Sequence, residues 1–209
     1  MNLVIDIGNS FTKVAVFDGT ELVHMDKSDH EDGDILEKTL SGYPQLDRGI
    51  VSSVGVEIDP VLERLSKNRM EVVVLDENTP IPIENLYQTK TTLGKDRLAA
   101  AVGAWMTFPD HDILIVDVGT ALTFDFVNRR GQYLGGSISP GLQMRFRALH
   151  HFAKRLPLAQ PDAHYTWPAN NTMASIVSGV QTGMVMEING MLEQHTRMHP
   201  GLQAILTGG

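Results

Sequence analysis

The chain has 209 residues, 42% of them hydrophobic, and a formal net charge of -8 at pH 7. This length accommodates one domain or two small ones with a real core, and the acidic balance argues against a nucleic-acid binder, which normally shows a basic face. The absence of cysteine excludes disulfides, thiolate metal sites and a cysteine nucleophile, and no stretch approaches the roughly 20 apolar residues of a membrane span.

The chain begins with a predicted strand, turn and strand over residues 3–17. An apolar run ends at Asp6, a turn around Gly8 follows, and a second apolar run returns. Gly8 lets a ligand approach the backbone, and Lys13 and the turn's N–H groups suit polyphosphate oxygens. Asp6 would then hold a hard cation such as Mg²⁺ through water. An ordinary hairpin has the same pattern, and the pattern alone favours that simpler interpretation.

The first half continues as a predicted α/β half-domain with a mixed sheet and the order β-β-β-α-β-α-β. The acidic loop that holds His30 is predicted to be exposed to solvent, in preference to forming a metal site. Asp59 is predicted to cap the second helix. The predicted elements are a strand at 21–25, the loop at 26–34, a helix at 35–40, a strand at 49–54, a helix from 59 and a buried strand at 71–75.

A proline-stiffened link at residues 80–83 leads to the short word Gly94-Lys95-Asp96-Arg97 and a predicted helix of small apolar residues at 98–105. An aspartate just before a helix is an obvious N-cap, and an arginine beside it is an ordinary surface charge. The pattern alone narrowly favours that structural interpretation of Asp96 and Arg97.

The strand–turn–strand pattern occurs a second time at residues 113–127. Asp117 corresponds to Asp6, Gly119 to Gly8 and Thr120 to Asn9. A repeated unit of this kind indicates a duplicated domain in which each half lends one loop to a shared cleft. Two such loops could hold a nucleotide's phosphates from both sides.

The remainder of the chain, from residue 133 onwards, contains a glycine-rich run, two predicted helices and a final strand. The run at 133–141 predicts either backbone close to a neighbour or a plain glycine-rich turn, and a helix is predicted at 142–149. Residues 170–172 are predicted to cap a long helix, on which Gly179 and Gly183 predict close packing and the methionines predict core or dimer contacts. The final residues, 202–209, predict a strand that runs into a glycine pair.

The two aspartate–glycine turns resemble the phosphate loops of the actin, hexokinase and Hsp70 ATPase superfamily. Within that superfamily, the sequence motifs of the chain resemble those of type III pantothenate kinases. They follow the family's order along the whole chain and are Asp6-Ile7-Gly8-Asn9-Ser10, Gly94-Lys95-Asp96-Arg97, Asp117-Val118-Gly119-Thr120-Ala121, Gly135-Gly136-Ser137-Ile138-Ser139-Pro140-Gly141 and Thr207-Gly208-Gly209. The resemblance implies a duplicated actin-like (ribonuclease H-like) α/β fold with half-domains at 1–112 and 113–209. It also implies further helix and strand material after the terminal glycines.

The resemblance implies a role for each matching residue. Asp96 would be the catalytic base, and an ordinary aspartate is already ionised at neutral pH, as late proton transfer to a base requires. The implied pantothenate ligands are Tyr87, Gly94, Lys95, Asp96, Arg97 and Thr172. The implied ATP-binding residues are Asp6, Ile7, Gly8, Asn9, Ser10, Phe11, Thr12, Lys13 and Thr120. Asp6 would hold Mg²⁺ through water, and Asp117 would hold K⁺ or NH₄⁺.

Alternatives exist for single residues and for the whole chain. Tyr87 could instead be a half-buried core residue, and Thr172 could be a helix cap, a substrate ligand or both. The implied reaction is phosphorylation of pantothenate by ATP in the cytoplasm by a homodimer, the first step towards coenzyme A. Another small-molecule kinase of the superfamily and a non-catalytic regulator with the same fold are the alternative functions.

Overall fold

The computed structural model describes residues 1–8, 10–29, 34–54 and 57–208, with only the backbone of residue 34. The predictions for Asn9, His30 and Gly209 therefore lie outside the described residues. The chain forms two compact units, of which the first comprises Met1–Ile81 and Thr89–Ala99 and the second Pro82–Gln88 and Ala100–Gly209. This division differs from a single boundary between residues 112 and 113, because the short strand at residues 84–85 pairs with the second sheet and most of one helix belongs to the second unit.

The first unit is built on a five-stranded mixed sheet of order β3-β2-β1-β4-β5. Its elements are β1 Asn2–Ile7, β2 Phe11–Asp18, β3 Glu21–Asp29, α1 Asp34–Gly42, β4 Arg48–Ser53, α2 Asp59–Lys67 and β5 Glu71–Val74. The central strand β1 is antiparallel to β2 and parallel to β4. Alternate side chains of β1 (Leu3, Ile5 and Ile7) enter a core that is closed by α1 and α2.

The predicted element order of this unit is confirmed, and three details were wrong. Residues 26–29 continue β3 beside β2 instead of forming a loop. Asp59 is the first helical residue, and the capping position is Ile58, which has no side-chain cap. β5 was predicted to be buried, but it is an edge strand and Val73 is 46% exposed. An edge strand has a neighbour on one side only, so its apolar residues alone do not reveal its burial.

The second unit has its own five-stranded mixed sheet, of order β10-β7-β8-β9-β6. Its strands are β6 Glu84–Asn85, β7 Ile113–Val118, β8 Ala121–Val127, β9 Gln132–Pro140 and β10 Gln203–Gly208. Its helices are α4 Leu142–Phe152, α5 Thr172–Met198 and the greater part of α3 Lys95–Thr107, which begins in the first unit. The hairpin of β7 and β8 repeats that of β1 and β2, and β10 lies parallel to β7 as β4 does to β1. The predicted duplicated α/β architecture is thus confirmed.

The glycine-rich run at 133–141 lies in strand β9 and not in a turn, except for Gly141, which precedes α4. A Cβ on Gly136 would lie 1.7 Å from the carbonyl oxygen of Phe124, and one on Gly141 would lie 2.3 Å from that of Thr120. The close approach predicted from these glycines is therefore made by neighbouring backbone.

The long helix α5 starts where it was predicted, with Asn171 as its cap, because the Asn171 side chain accepts a hydrogen bond from the N–H of Ala174 at 2.9 Å. Met184 packs in a core with Leu114, Val116, Leu122 and Phe124. The close packing predicted at Gly179 and Gly183 is wrong within this chain, because a Cβ at either position meets no described atom within 4 Å. Among the described residues, no helix is long and apolar enough to cross a membrane.

Candidate functional site

The first turn joins β1 to β2 and presents backbone and small polar groups. The N–H of Gly8 donates to the carbonyl of Phe11 at 3.0 Å and closes the turn. Lys13 lies directly across the hairpin from Asp6, and Thr12 lies across from Ile7. Ser10 is exposed. The strand pairing therefore places a cation opposite the carboxylate at the end of β1.

Asp6 has the strongest sign of a ligand site in the first unit. Its Oδ1 is buried and has no hydrogen-bond partner in the structure, and the same holds for the Oγ of Ser52 on the neighbouring strand. Burial raises the pKa of Asp6 and the nearby Asp96 carboxylate raises it further, while Lys13 and the Ser52 hydroxyl lower it. An orphaned, partly desolvated carboxylate oxygen is costly to keep without a cation. Asp6 thus fits a hard-cation ligand.

The Gly94–Arg97 word forms the start of α3 in the first unit. The helix begins at Lys95, so Asp96 lies in its first turn and is not the residue before the helix. The Oδ1 of Asp96 accepts a hydrogen bond from the N–H of Arg97 at 2.8 Å. A Cβ on Gly94 would lie 2.5 Å from that same oxygen, so glycine leaves the room that this carboxylate occupies. Lys95 forms an ion pair of 3.1 Å with Glu77.

The position of Arg97 contradicts the prediction that it is an ordinary surface charge. It is 7% exposed and therefore not an ordinary surface charge. Arginine is almost never buried without a partner or a purpose, because its guanidinium cannot be neutralised. Sequence pattern alone gave the cap and surface-charge interpretation of this word, and the structure contradicts both of its parts.

The second turn repeats the first with one residue fewer. The N–H of Gly119 donates to the carbonyl of Ala121 at 3.0 Å, and Asp117 lies across the hairpin from Thr123. A Cβ on Gly119 would lie 3.3 Å from the Asp117 carboxylate, and one on Gly208 would lie 2.6 Å from it. Two glycines therefore leave this half-buried carboxylate a cradle that side chains would fill.

Two further predicted site residues lie in the second unit. Tyr87 follows β6 and is half-buried against β9. Thr172 is the first residue of α5, and its side chain is exposed. It is among the residues that line a cavity of about 1200 Å³, together with Arg145, Phe152, Asn170 and Asn171. The capping role considered for Thr172 was wrong, because Asn171 is the cap.

Sequence reasoning missed the polar interactions within the second unit. Glu187 on α5 accepts a hydrogen bond from Ser139 at 2.6 Å and pairs with Arg145, which also donates to the carbonyl of Pro140. Asp125 on β8 accepts the hydroxyl of Tyr133 at 2.6 Å. No local spacing connects positions so far apart, although a lone aspartate inside an apolar strand was a usable signal.

The described site residues fall into groups by unit. Asp6, Lys13, Asp96 and Arg97 belong to the first, and Asp117, Thr120, Tyr87 and Thr172 to the second. Two α/β units that each carry an aspartate-bearing hairpin define a protein of the actin-like fold class. Solved structures agree on the fold: a candidate N-acetylmannosamine kinase of Listeria monocytogenes (Lmo2764) has a TM-score of 0.54 at 13% identity, covering 100% of this chain and 83% of that one.

A candidate Baf family transcriptional activator of Campylobacter jejuni has a TM-score of 0.52 at 20% identity, covering 90% of this chain and 78% of that one. At such identities the likeness concerns the fold alone.

Sequence relatives identify the family. The model of the type III pantothenate kinase family matches residues 2–194. The type III pantothenate kinase of Phocaeicola vulgatus is 41% identical, and that of Bacteroides fragilis is 43% identical, each over 209 residues that cover 100% of this chain and 86% of the relative. The chain belongs to the type III pantothenate kinase family, and this membership supports pantothenate kinase activity as its function.

Proposed function

We propose that this chain transfers the γ-phosphate of ATP to the primary hydroxyl of pantothenate, giving 4'-phosphopantothenate, the first step of coenzyme A biosynthesis. The observation that carries the proposal is the site of the first unit, where Asp96 lies near enough to Asp6 to raise its pKa and is followed by a buried arginine. Phosphoryl transfer depends mainly on positioning and charge neutralisation, which such a site supplies. The reaction uses cytoplasmic ATP, so we place the enzyme in the cytoplasm.

Asp96 is the proposed catalytic base. Its carboxylate is exposed at the first turn of α3, and one of its oxygens is oriented by the N–H of Arg97. In the reaction Asp96 accepts a hydrogen bond from the pantothenate hydroxyl and collects its proton as the bond to phosphorus forms.

Substrate ligands are proposed on both sides of this base in sequence. Arg97 would hold the pantothenate carboxylate in a bidentate fork, and a buried guanidinium is pre-organised for such a role. Gly94 supplies the room for the base, and Lys95 adds a cation held by Glu77. Tyr87 and Thr172 are proposed as further pantothenate ligands.

The two turns are proposed to serve ATP. The residues assigned to it are Asp6, Ile7, Gly8, Asn9, Ser10, Phe11, Thr12, Lys13 and Thr120. Asp6 would hold Mg²⁺ through water, and the bound ion would neutralise charge on the phosphates. Asp117 would hold K⁺ or NH₄⁺ in the cradle left by Gly119 and Gly208. Lys13 is paired with Asp6 across the hairpin and adds positive charge for the phosphates.

A homodimer is proposed as the working form. Phe152 is 83% exposed and Trp167 is 81% exposed, and Met186 on α5 is also exposed. The open faces at Gly179 and Gly183 offer room for another helix. Light scattering of the active enzyme tests this proposal, and a stable, active monomer would contradict it.

The proposed reaction is tested by following ADP release with ATP, Mg²⁺ and pantothenate, in K⁺ and in Na⁺ alone. Activity should require pantothenate and K⁺. Asp96→Asn should lower kcat by about 10²- to 10⁴-fold, the usual loss on removal of a general base. Asp59→Asn is the matched control, because Asp59 is an exposed aspartate in the first turn of α2 and lies outside the proposed site. Turnover that is indifferent to pantothenate would reject the assignment, and a panel of other hydroxyl acceptors would then identify the substrate.

A further inference from the structure

The backbone of Tyr87 is tied to strand β9. β6 runs parallel to β9 with Asn85 beside Tyr133, and the N–H of Leu86 donates to the carbonyl of Tyr133 at 3.0 Å. The N–H of Tyr87 itself donates to the Asn85 side chain at 3.0 Å. Such a turn of side chain onto backbone holds the chain as it leaves the short strand. The position of Tyr87 is thus set by β9.

The ring of Tyr87 lies close to the backbone of Gly135 and to the ring of Tyr133. A Cβ on Gly135 would lie 3.1 Å from its Cδ2 and 3.2 Å from its Cε2, and Gly135 has a φ of +98°. The ring centroids of Tyr87 and Tyr133 are 6.2 Å apart with planes tilted by 38°. This separation is within the range at which aromatic rings stabilise each other's orientation.

Tyr133 is in turn fixed by a buried carboxylate. Its side chain is fully buried, and its hydroxyl donates to Oδ1 of Asp125 at 2.6 Å. Asp125 is 1% exposed, and its Oδ2 accepts a hydrogen bond from Thr123 at 3.3 Å. The neighbouring residues of β8, Phe124 and Phe126, are both buried and apolar.

The fold alone does not require this polar pair. Replacement of two buried hydrogen-bonding partners by apolar groups of the same shape is often neutral for stability, whereas a buried carboxylate is costly. What the pair adds is a fixed direction of the Tyr133 side chain, since its hydroxyl must reach Asp125. The fixed side chain then supports Tyr87 through the ring contact.

We infer that Tyr133 and Asp125 are positioning residues that hold the ring of Tyr87 in the orientation in which it binds pantothenate. The inference rests on the proposed function, in which Tyr87 is a pantothenate ligand, and deepens it. Neither positioning residue is assigned a contact with substrate. Their effect is expected on pantothenate binding and not on the chemical step.

Tyr133→Phe is the central variant, because it removes only the hydroxyl and keeps the ring in the core. We expect the KM for pantothenate to rise about three- to tenfold, the usual range for one lost buried hydrogen bond, with the KM for ATP and kcat unchanged. Asp125→Leu should have the same effect, and Asp125→Asn, which keeps an acceptor oxygen, should restore most of the affinity. Tyr43→Phe is the matched control, because Tyr43 is a half-buried tyrosine beside His24 in the first unit.

Measurement in the Tyr87→Ala background separates an effect that acts through Tyr87 from a non-specific effect on the fold. If Tyr133 acts through Tyr87, Tyr133→Phe adds nothing to the KM for pantothenate in that background. Calorimetric titration of pantothenate repeats the comparison without turnover, and thermal melts confirm that each variant is folded. An additive effect in the double variant, an unchanged KM in Tyr133→Phe, or a loss confined to kcat would overturn the inference.

The same set distinguishes failure of the proposed function. A wild-type chain that neither phosphorylates nor binds pantothenate rejects both. A wild-type chain that phosphorylates pantothenate with a KM insensitive to Tyr87→Ala keeps the reaction but overturns the positioning role. Only a KM that responds to Tyr87→Ala and then fails to respond further to Tyr133→Phe supports the inference.

Discussion

The carboxylate of Asp96 raises the pKa of Asp6, although one lies in the first strand of the chain and the other in the third helix. Burial is the largest cause of the shift, and Lys13 and Ser52 oppose it without reversing it. The folded chain therefore holds a proton on Asp6 more tightly than the unfolded chain, whose aspartate titrates near the ordinary value of 3.8. The geometry suited to a cation thus destabilises the fold when no cation is present.

Asp6→Asn should stabilise the Mg²⁺-free protein at neutral pH while it abolishes ATP turnover. Because the pKa of Asp6 is raised on folding, its contribution to the free energy of unfolding falls as pH rises from about 3.8 through the folded value, and it stays low above that value. The asparagine variant lacks this loss. Thermal melts without Mg²⁺ should show a higher Tm for the variant at pH 7 and no difference below pH 3.8.

Asp18→Asn is the control, because Asp18 is an exposed aspartate at the end of β2. The coupling has its own check: Asp96→Asn removes the repulsion and should also raise the Tm at pH 7, with a smaller gain once Asp6 is already asparagine. A lower Tm for Asp6→Asn at pH 7 without Mg²⁺ would contradict the burial argument.

Only part of the site around Asp6 could be predicted from the sequence. Alternation of apolar residues predicted both hairpins, and the strand register that sets Lys13 opposite Asp6 follows from the turn. The proximity of Asp96 could not be predicted, because no local pattern connects β1 with α3. The burial of Arg97 is likewise a property of packing, and the same residue types at a helix start are usually exposed.

Gly208→Ala should raise the K⁺ concentration needed for activity. Gly208 has a φ of +102°, and a Cβ there would lie 2.6 Å from the Asp117 carboxylate and from the backbone of Val118. The substitution therefore pushes on the proposed cation ligand besides straining its own backbone by roughly 1–2 kcal/mol. Activity is measured across a K⁺ titration at constant ionic strength.

Gly201→Ala separates strain from contact in this test. Gly201 has a φ of +84°, but a Cβ there meets no described atom within 4 Å. It should lose stability without any change in the K⁺ requirement. Equal K⁺ dependence in the two variants would remove Asp117 from the cation site.

Asn171→Ala and Thr172→Ala should have different effects although the residues are adjacent. Asn171 caps α5 through its bond to the N–H of Ala174, so its loss should lower stability by about 1 kcal/mol and Tm by about 2–4 °C. Thr172 makes no cap and its side chain is exposed, so alanine there should leave the Tm unchanged and raise the KM for pantothenate. Asn171→Asp, which keeps an acceptor oxygen, should recover the melt. Reversed effects would exchange the two assignments.

The helix start also marks a limit of sequence reasoning. Three capping-type residues in succession predicted that a helix begins there but not which of them is the cap, because adjacent Asn and Thr are both competent. For β9 the sequence predicted close backbone approach correctly, but it could not exclude a turn for a related reason. Gly136 reads as a turn residue in isolation, and only the pairing with β8 reveals that its missing Cβ admits the carbonyl of Phe124.

Acidification should destabilise the second unit through His195. Its Nδ1 is buried without a hydrogen-bond partner in the structure, and its ring lies 5.7 Å from Phe126 and 6.1 Å from His199. Burial and then the neighbouring His199 lower the pKa of His195 below its ordinary 6.5. The unfolded chain therefore takes up a proton first, and stability is lost as pH falls from 6.5 through the lower folded value.

His195→Gln removes the titration and should flatten the stability profile between pH 7 and pH 5. The surrounding charges are accounted for: His199 lies 3.6 Å from Asp112, which in turn pairs with Arg129 at 2.9 Å, and burial and His199 are what shift the pKa of His195. Urea unfolding at a series of pH values measures the slope, with His164→Gln, an exposed loop histidine, as the control. A wild-type slope retained in His195→Gln and lost in His164→Gln would place the acid sensitivity elsewhere in the chain.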